Sequence, residues 1–325
     1  MIVVTGGAGF IGSAIAAALN SRGYSDLWIV DVDDHLEKKR NLSALTYERY
    51  LSRETFLDEV LKGSLPSTEA IFHLGACSST TEMDVDFLNR NNVNYTRALA
   101  EYCLSNNVRF IYASSAATYG NGDQGYLDDE GRLQEFKPLN PYGQSKHDFD
   151  LLARQQGWLD RIVGLKYFNV YGPNEYHKED MRSMVLKGFQ QIRETGRLRL
   201  FKSDRPEYTD GGQVRDFLYV KDAVAMTLFF LDQKEKGGVF NIGSGRARSW
   251  NDLAKALFDA MELESDIEYF DMPDHIKNQY QYHTEAAMEK LHTAGFQEPC
   301  MTLEQGVEDY VRNFLMKNYR RLGEE

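Results

Sequence analysis

Short, almost wholly apolar runs alternate along this chain with longer stretches in which apolar residues return every three or four positions. The runs are Met1–Val4, Leu27–Asp31, Ala70–Leu74, Val108–Ala113, Ile162–Phe168, Phe217–Val220 and Val239–Ile242. Unbroken apolar runs of this length suit strands buried on both faces of a parallel sheet. Between the first two runs, Ile11, Ile15, Ala18 and Leu19 keep helical spacing, and Gly23 stands where a helix would stop. Further helical patterns cover Asp84–Ser105 and Ser145–Gln155. Strands alternating with helices predict an α/β protein built on a Rossmann-type, doubly wound parallel sheet.

After Phe168 the alternation loosens. Residues 169–213 are polar and tyrosine-rich, and Pro173, Gly196 and Pro206 interrupt them. The strand-and-helix pattern returns at Phe217–Leu231 and then fades again. The expected division is therefore interleaved: residues 1–168 and 214–241 form the larger domain, built on the parallel sheet. Residues 169–213 and 242–325 form a smaller, discontinuous α/β lobe for substrate.

The chain has 325 residues, 26% of them charged, and a net charge of −12. That acidity argues against a nucleic-acid partner, which needs a basic surface. No apolar run approaches the roughly 20 residues of a membrane span. No basic leader precedes the first strand, so the expected location is the cytoplasm. Cys77, Cys103 and Cys300 are widely spaced and fit reduced thiols, and the seven histidines show no metal-ligand spacing. Residues 178–215 run against the overall charge, with nine Lys/Arg and six Asp/Glu. A local cationic excess of that kind can hold a diphosphate, or be a solvated face.

The first strand runs straight into Gly6-Gly-Ala-Gly9-Phe-Ile-Gly12. Small residues let the backbone approach a pyrophosphate, and the helix that follows offers free N–H groups and a partial positive charge. Asp31 ends the second strand, where an acidic residue receives the ribose hydroxyls of a nicotinamide cofactor. No Gly-Lys-Ser/Thr follows the loop, so a nucleoside-triphosphate P-loop is excluded.

Tyr142-Gly-Gln-Ser-Lys146 follows Pro141, a residue suited to the first turn of a helix. Residues i and i+4 share a helix face, so phenol and ammonium can enter one site. A tyrosine acting as a base near neutral pH needs its pKa lowered by about 3 units from near 10, and a neighbouring Lys⁺ favours that. A Y-x-x-x-K spacing arises about once by chance in a chain of this composition, so position carries the argument. The motif follows Ala113-Ser-Ser115-Ala-Ala-Thr118-Tyr-Gly120, which would set a serine hydroxyl at the carboxyl edge of the sheet.

These pieces, with Leu74-Gly75-Ala76, Tyr167–Pro173 and Arg215–Asp222, resemble in order the extended short-chain dehydrogenase/reductase family. The resemblance implies a catalytic set of Ser115, Tyr142 and Lys146. Ser115 would hydrogen-bond the substrate oxygen, Tyr142 would exchange the proton, and Lys146 would bind the nicotinamide ribose and tune Tyr142. Within the family, Phe72–Glu82, Tyr112–Gly120 and Tyr171–Lys178 are similar to the heptose epimerases. That implies inversion at C6 of an ADP-linked heptose for lipopolysaccharide core synthesis, by oxidation to a ketone and reduction on its other face. Lys178 would be a second acid/base group. The same likeness assigns Gly6, Gly9, Phe10, Ile11, Gly12, Asp31, Lys38, Arg53, Leu74, Gly75, Ala76, Ser78, Asn91, Lys146 and Val170 to the cofactor. It assigns Asn169, Phe201, Arg215 and Tyr280 to the substrate, and it implies a homo-oligomer, a pentamer.

Two features pull against this pattern. Asp180 and Lys187 stand where the heptose epimerases carry serine and histidine, and the segment Ser203–Gln213 is longer than theirs. Asp31 favours NAD, whereas Lys38, Lys39 and Arg40 could neutralise a 2′-phosphate; the resemblance implies NADP, with NAD as the alternative. The competing readings are another nucleotide-sugar epimerase, such as a UDP-hexose 4-epimerase, and a non-catalytic NADP-binding regulator. A sugar dehydratase is disfavoured because Ala116 and Ala117 occupy the places of its two carboxylates.

Overall fold

The computed structural model describes residues 1–32, 36–277 and 280–324. Its strands in chain order are β1 (Ile2–Thr5), β2 (Leu27–Asp31), β3 (Arg49–Ser52), β4 (Ala70–His73), β5 (Arg109–Ser115) and β6 (Val163–Tyr167). They continue with β7 (Asn169–Tyr171), β8 (Leu198–Phe201), β9 (Val214–Tyr219), β10 (Gly238–Ile242), β11 (Ala247–Ser249) and β12 (Ile267–Phe270). Seven of these form one parallel sheet in the order β10-β6-β5-β4-β1-β2-β3. Every residue of β1, β2, β4, β6 and β10 is buried, which is why these strands read as largely apolar runs, with Asp31, His73, Lys166 and Asn241 among the buried polar exceptions.

The strand order reverses between β1 and β4. A crevice opens at the carboxyl ends of strands on either side of such a reversal, and there the glycine loop meets the loop after β4. The approach is tight. Gly6 has φ +66°, and a Cβ on it would sit 2.7 Å from the Gly75 nitrogen. A Cβ on Gly12 would lie 2.1 Å from the Gly6 carbonyl oxygen. Both positions are closed to any side chain.

Two smaller sheets complete the structure. One has the order β11-β9-β7, with β9 antiparallel to β11 and parallel to β7; the other is the parallel pair β12-β8. β9 belongs to the smaller sheet, while the helix after it, Val220–Asp232, returns to pack on the helix Phe10–Ser21. The sequence pattern starts this strand at Phe217; the structure starts it at Val214, because Arg215 and Asp216 are polar yet buried.

The pattern also predicts one helix over 84–105. The structure has Val85–Leu88 and Tyr95–Asn106 joined by a π-helical turn, Asn89–Asn94. Such turns re-aim side chains and recur at functional sites; this one carries Asn91 and Asn92. Among the described residues, no helix is long and apolar enough to cross a membrane, and no cluster of His, Cys, Asp or Glu could hold a metal ion.

Candidate active site

The crevice holds a cavity of about 490 Å³, lined by Gly6, Gly9, Phe10 and Gly12 of the glycine loop, Asp31 and Lys38 beyond β2, and Arg53. Its far wall is Leu74 to Ser79, Asn91 of the π turn, and His177, Lys178 and Met181. Ile11, Lys146 and Val170, also assigned to the cofactor from sequence, do not line it. The donors suit a dinucleotide. The loop leads into the N-terminus of the helix Phe10–Ser21, a site for pyrophosphate. The Asn91 amide nitrogen is buried with no partner, while its Oδ1 accepts from Arg53 Nη1 at 2.5 Å. A buried unpaired donor on a cavity wall is a place for a ligand oxygen.

Asp31 lines the cavity at the end of β2, where a ribose ligand is expected, and the chain holds it in place. Its Oδ2 accepts from Ala8 N at 2.9 Å, its Oδ1 accepts from Val32 N at 2.8 Å, and Lys38 pairs with it. Both carboxylate oxygens are thus engaged by the chain itself, and the charge is neutralised.

Ser115 ends β5 and caps the turn that follows, its Oγ accepting from Ala117 N at 3.1 Å. Asn140 caps the helix Pro141–Gln155 by accepting from Gly143 N at 2.8 Å, which fixes Tyr142 in the first turn. The structure brings Ser115 and Tyr142 together. Burial raises the phenol above its ordinary pKa, and a hydrogen bond with Ser115 opposes the rise. Lys146 donates to the Ala113 carbonyl at 2.8 Å and is pushed down to about 8 by burial, against the pull of Asp150.

The support beneath is a closed polar network that sequence reasoning missed. Asp150 lies one turn beyond Lys146 and accepts from Tyr112 at 2.9 Å, from Ser114 at 2.7 Å and from Lys166 at 2.6 Å. Lys166 also reaches Thr118 at 2.6 Å, and Thr118 donates to the Ser115 carbonyl at 2.8 Å. Asn92 ties the helix to the cavity wall: its Nδ2 reaches Ser145 at 2.9 Å and the Cys77 carbonyl at 3.0 Å, and its Oδ1 accepts from Cys77 N. The doublet Asn91-Asn92 inside a helical pattern was the one available signal for it, since asparagine is a poor helix former. His73 bridges Thr5 and Thr96 and is held down at about 3 by burial and by the charge of Lys146.

Lys178 enters beyond β7, on the short turn Tyr176–Met181, with its ammonium 5.3 Å from the centre of the Phe10 ring. Burial lowers its pKa and Glu175 opposes that. Lys178 thus joins the cofactor cavity, next to the loop residue that opens the first helix.

In the smaller sheets, Phe201 and Arg215 converge on Tyr280. The Phe201 and Tyr280 rings are 6.1 Å apart, and the Arg215 guanidinium lies 5.0 Å from the Tyr280 ring and 5.6 Å from the Trp250 ring. Trp250 Nε1 donates to the Tyr280 hydroxyl at 2.8 Å. Arg215 is only 7% exposed, and burial lowers its pKa. Among the described residues no carboxylate pairs with it. Asn169 is exposed at the start of β7. Lys187 Nζ donates to the Asp180 carbonyl at 2.5 Å, so the two departures from the heptose-epimerase pattern touch each other. The long segment 203–213 folds back over the aromatic group, with Asp204 N donating to the Tyr282 hydroxyl at 3.0 Å.

Residues 2–243 match the NAD dependent epimerase/dehydratase family. The chain belongs to that family. Over 316 residues, 97% of this chain and 98% of the relative, it is 52% identical to an ADP-L-glycero-D-manno-heptose-6-epimerase of Nitratidesulfovibrio vulgaris. The crystal structure of the Helicobacter pylori ADP-L-glycero-D-manno-heptose-6-epimerase superposes with a TM-score of 0.80 at 27% identity, covering 96% of this chain and 95% of that one. A UDP-glucuronic acid 4-epimerase from Bacillus cereus, solved with NAD, superposes at 0.76 with 25% identity over 98% and 99% of the two chains. As a family member the chain is an epimerase of the extended short-chain dehydrogenase/reductase type, and a nicotinamide dinucleotide is its cofactor.

Proposed function

We propose that the chain inverts C6 of ADP-D-glycero-D-manno-heptose to give the L-glycero epimer. The observation that carries the substrate assignment is the 52% identity sustained over nearly the full length of both chains. The shared length spans both the crevice and the Arg215–Tyr280 cluster.

When bound, the dinucleotide supplies the hydride acceptor and donor, and it ends each cycle unchanged. The residues of the chain handle the protons and the geometry. Ser115 hydrogen-bonds the substrate oxygen and the Tyr142 phenol. Tyr142 exchanges the proton of the C6 hydroxyl on one face. Lys146 holds the nicotinamide ribose, and its positive charge favours the phenolate once the site is filled and water is excluded. Lys178, kept less basic by burial, exchanges the proton when the ketone presents its other face. Arg215 takes the diphosphate, for which a buried guanidinium without a carboxylate is suited. Phe201 and Tyr280 pack around it, and Asn169 reaches the sugar from the exposed start of β7. Residues 1–168, with the helix and strand over 220–242, hold the cofactor, and the rest, including Arg215 on β9 of a smaller sheet, holds the substrate.

For the cofactor the proposal is NADP. The supporting observation is that Asp31 already accepts from two backbone N–H groups and is paired with Lys38. A carboxylate so paired repels a 2′-phosphate less, and the Lys38 ammonium beside it suits that phosphate. Assembly as a homo-oligomer and residence in the cytoplasm belong to the same proposal and rest on the resemblance.

Replacing Tyr142 by Phe, or Lys178 by Met, is expected to lower turnover by about 10²–10⁴-fold each, the range for loss of a general acid/base, in protein whose circular dichroism is unchanged. Near-normal epimerisation by either variant would overturn the two-base account.

A further inference from the structure

Residues 319–324 lie beyond the stretch that matches the family, and they run against the back of the cofactor cavity. Arg321 is the centre of this contact, 4% exposed. Its Nη2 pairs with Glu37, its Nε donates to Asn41 Oδ1 at 3.2 Å, and its guanidinium lies 5.4 Å from the Tyr176 ring. Neighbouring bonds repeat the pattern. Tyr176 donates to the Arg320 carbonyl at 2.7 Å, Leu322 N donates to Asn174 Oδ1 at 3.1 Å, and Ser43 donates to Glu324 at 3.0 Å.

Each group gripped by Arg321 adjoins a wall of the cavity. Glu37 precedes Lys38, the partner of Asp31. Tyr176 stands two residues before Lys178. Asn41, 1% exposed, donates to the Ala8 carbonyl of the glycine loop at 3.0 Å and to the Asn174 carbonyl at 3.0 Å, and contacts His177 Nδ1 at 3.3 Å. Without Arg321, Asn41 Oδ1 would lose its hydrogen-bond donor, and the Glu37 carboxylate the closest of its cations. A buried group stripped of its partner is costly, so the elements carrying it would be expected to move.

We propose that Arg321 is a positioning residue, the pin of a C-terminal clasp that holds the short helix Leu36–Lys39, the glycine loop and the Lys178 turn in one arrangement. The clasp sets dinucleotide affinity directly. Its effect on proton transfer rests on the reading of Lys178 given above.

The test uses the full-length protein with Arg321→Met, Arg321→Lys and Glu37→Gln, and Arg320→Met as a control. NADP⁺ is titrated calorimetrically after dialysis, and reduction of bound cofactor is followed at 340 nm on mixing with each C6 epimer. Arg321→Met is expected to weaken NADP⁺ about tenfold, the scale on which packed networks transmit coupling. Glu37→Gln should weaken it less, Arg321→Lys should recover part, and Arg320→Met should match wild type. With Arg321→Met, cofactor reduction should be slowed more for one epimer than for the other, as in Lys178→Met. If Arg321→Met fails to fold, Glu37→Gln carries the test alone. Unchanged NADP⁺ affinity in folded Arg321→Met, or in Glu37→Gln where that variant stands alone, would overturn the clasp. Weakened affinity together with normal epimerisation by Lys178→Met would leave the clasp standing and overturn the reading of Lys178.

Discussion

Two cations are buried near the two ends of the proposed reaction path, and they are treated in opposite ways. Lys166, beneath the Ser115–Tyr142 pair, has 0% side-chain exposure, and Asp150 and Thr118 each lie 2.6 Å from its ammonium. The Asp150 carboxylate is in turn filled by Tyr112 and Ser114. Arg215, in the smaller sheets, is nearly as buried but faces aromatic rings and has no carboxylate partner among the described residues. A buried charge whose partners are complete fixes geometry. A buried charge left incomplete is held ready for an anion that arrives from outside. Lys146 resembles Arg215: each donates to one backbone carbonyl at 2.8 Å, Ala113 and Val214 respectively, and burial lowers the Lys146 pKa to about 8.

Breaking the complete pair should have the largest effect. Asp150→Leu strands the Lys166 ammonium and is expected to cost about 3–5 kcal/mol of unfolding free energy in urea, the loss typical of half a buried ion pair. A loss under 1 kcal/mol would mean the network is not a support. Arg215→Met should do the reverse. It should leave stability within about 1 kcal/mol and weaken binding of the ADP-sugar by roughly 10–100-fold, the worth of charge-assisted hydrogen bonds. Destabilisation without loss of affinity would make Arg215 a structural residue.

The smallest effect concerns Lys146. Its folded pKa, about 8, lies below the ordinary 10.5, so above pH 8 the unfolded chain binds more protons than the folded one. Stability attributable to this group therefore rises with pH across that window. The unfolding free energy of wild type relative to Lys146→Met should climb by about 1 kcal/mol between pH 7 and 9. A flat or falling difference would show that the ammonium is solvated.

The same contrast explains what was legible in the sequence. Local patterns with a physical period were readable: the run of β1 into Gly6–Gly12, Asp31 at the end of β2, and Tyr142 and Lys146 on one face of a helix opened by Pro141. The buried polar elements were not. Arg215 and Asp216 hid the start of β9, because period and apolarity say nothing about a charge that goes inside. The π turn at Asn89–Asn94 leaves the spacing of apolar residues almost unchanged while turning Asn91 into the cavity. The contacts of Arg321 span up to 284 residues of chain, and no local signal encodes them. Lys38 was read as a ligand for phosphate from its charge, and the structure adds that it also cancels Asp31.

The central claim is that the crevice redistributes configuration at one carbon and returns its cofactor unchanged. Incubation of the full-length protein with ADP-D-glycero-D-manno-heptose, with the C6 configuration read by NMR and 340 nm absorbance followed in parallel, tests this directly. The account predicts a mixture of the two C6 epimers with no lasting gain in absorbance. An unchanged C6 centre, or a stoichiometric build-up of reduced cofactor with a ketone product, would contradict it.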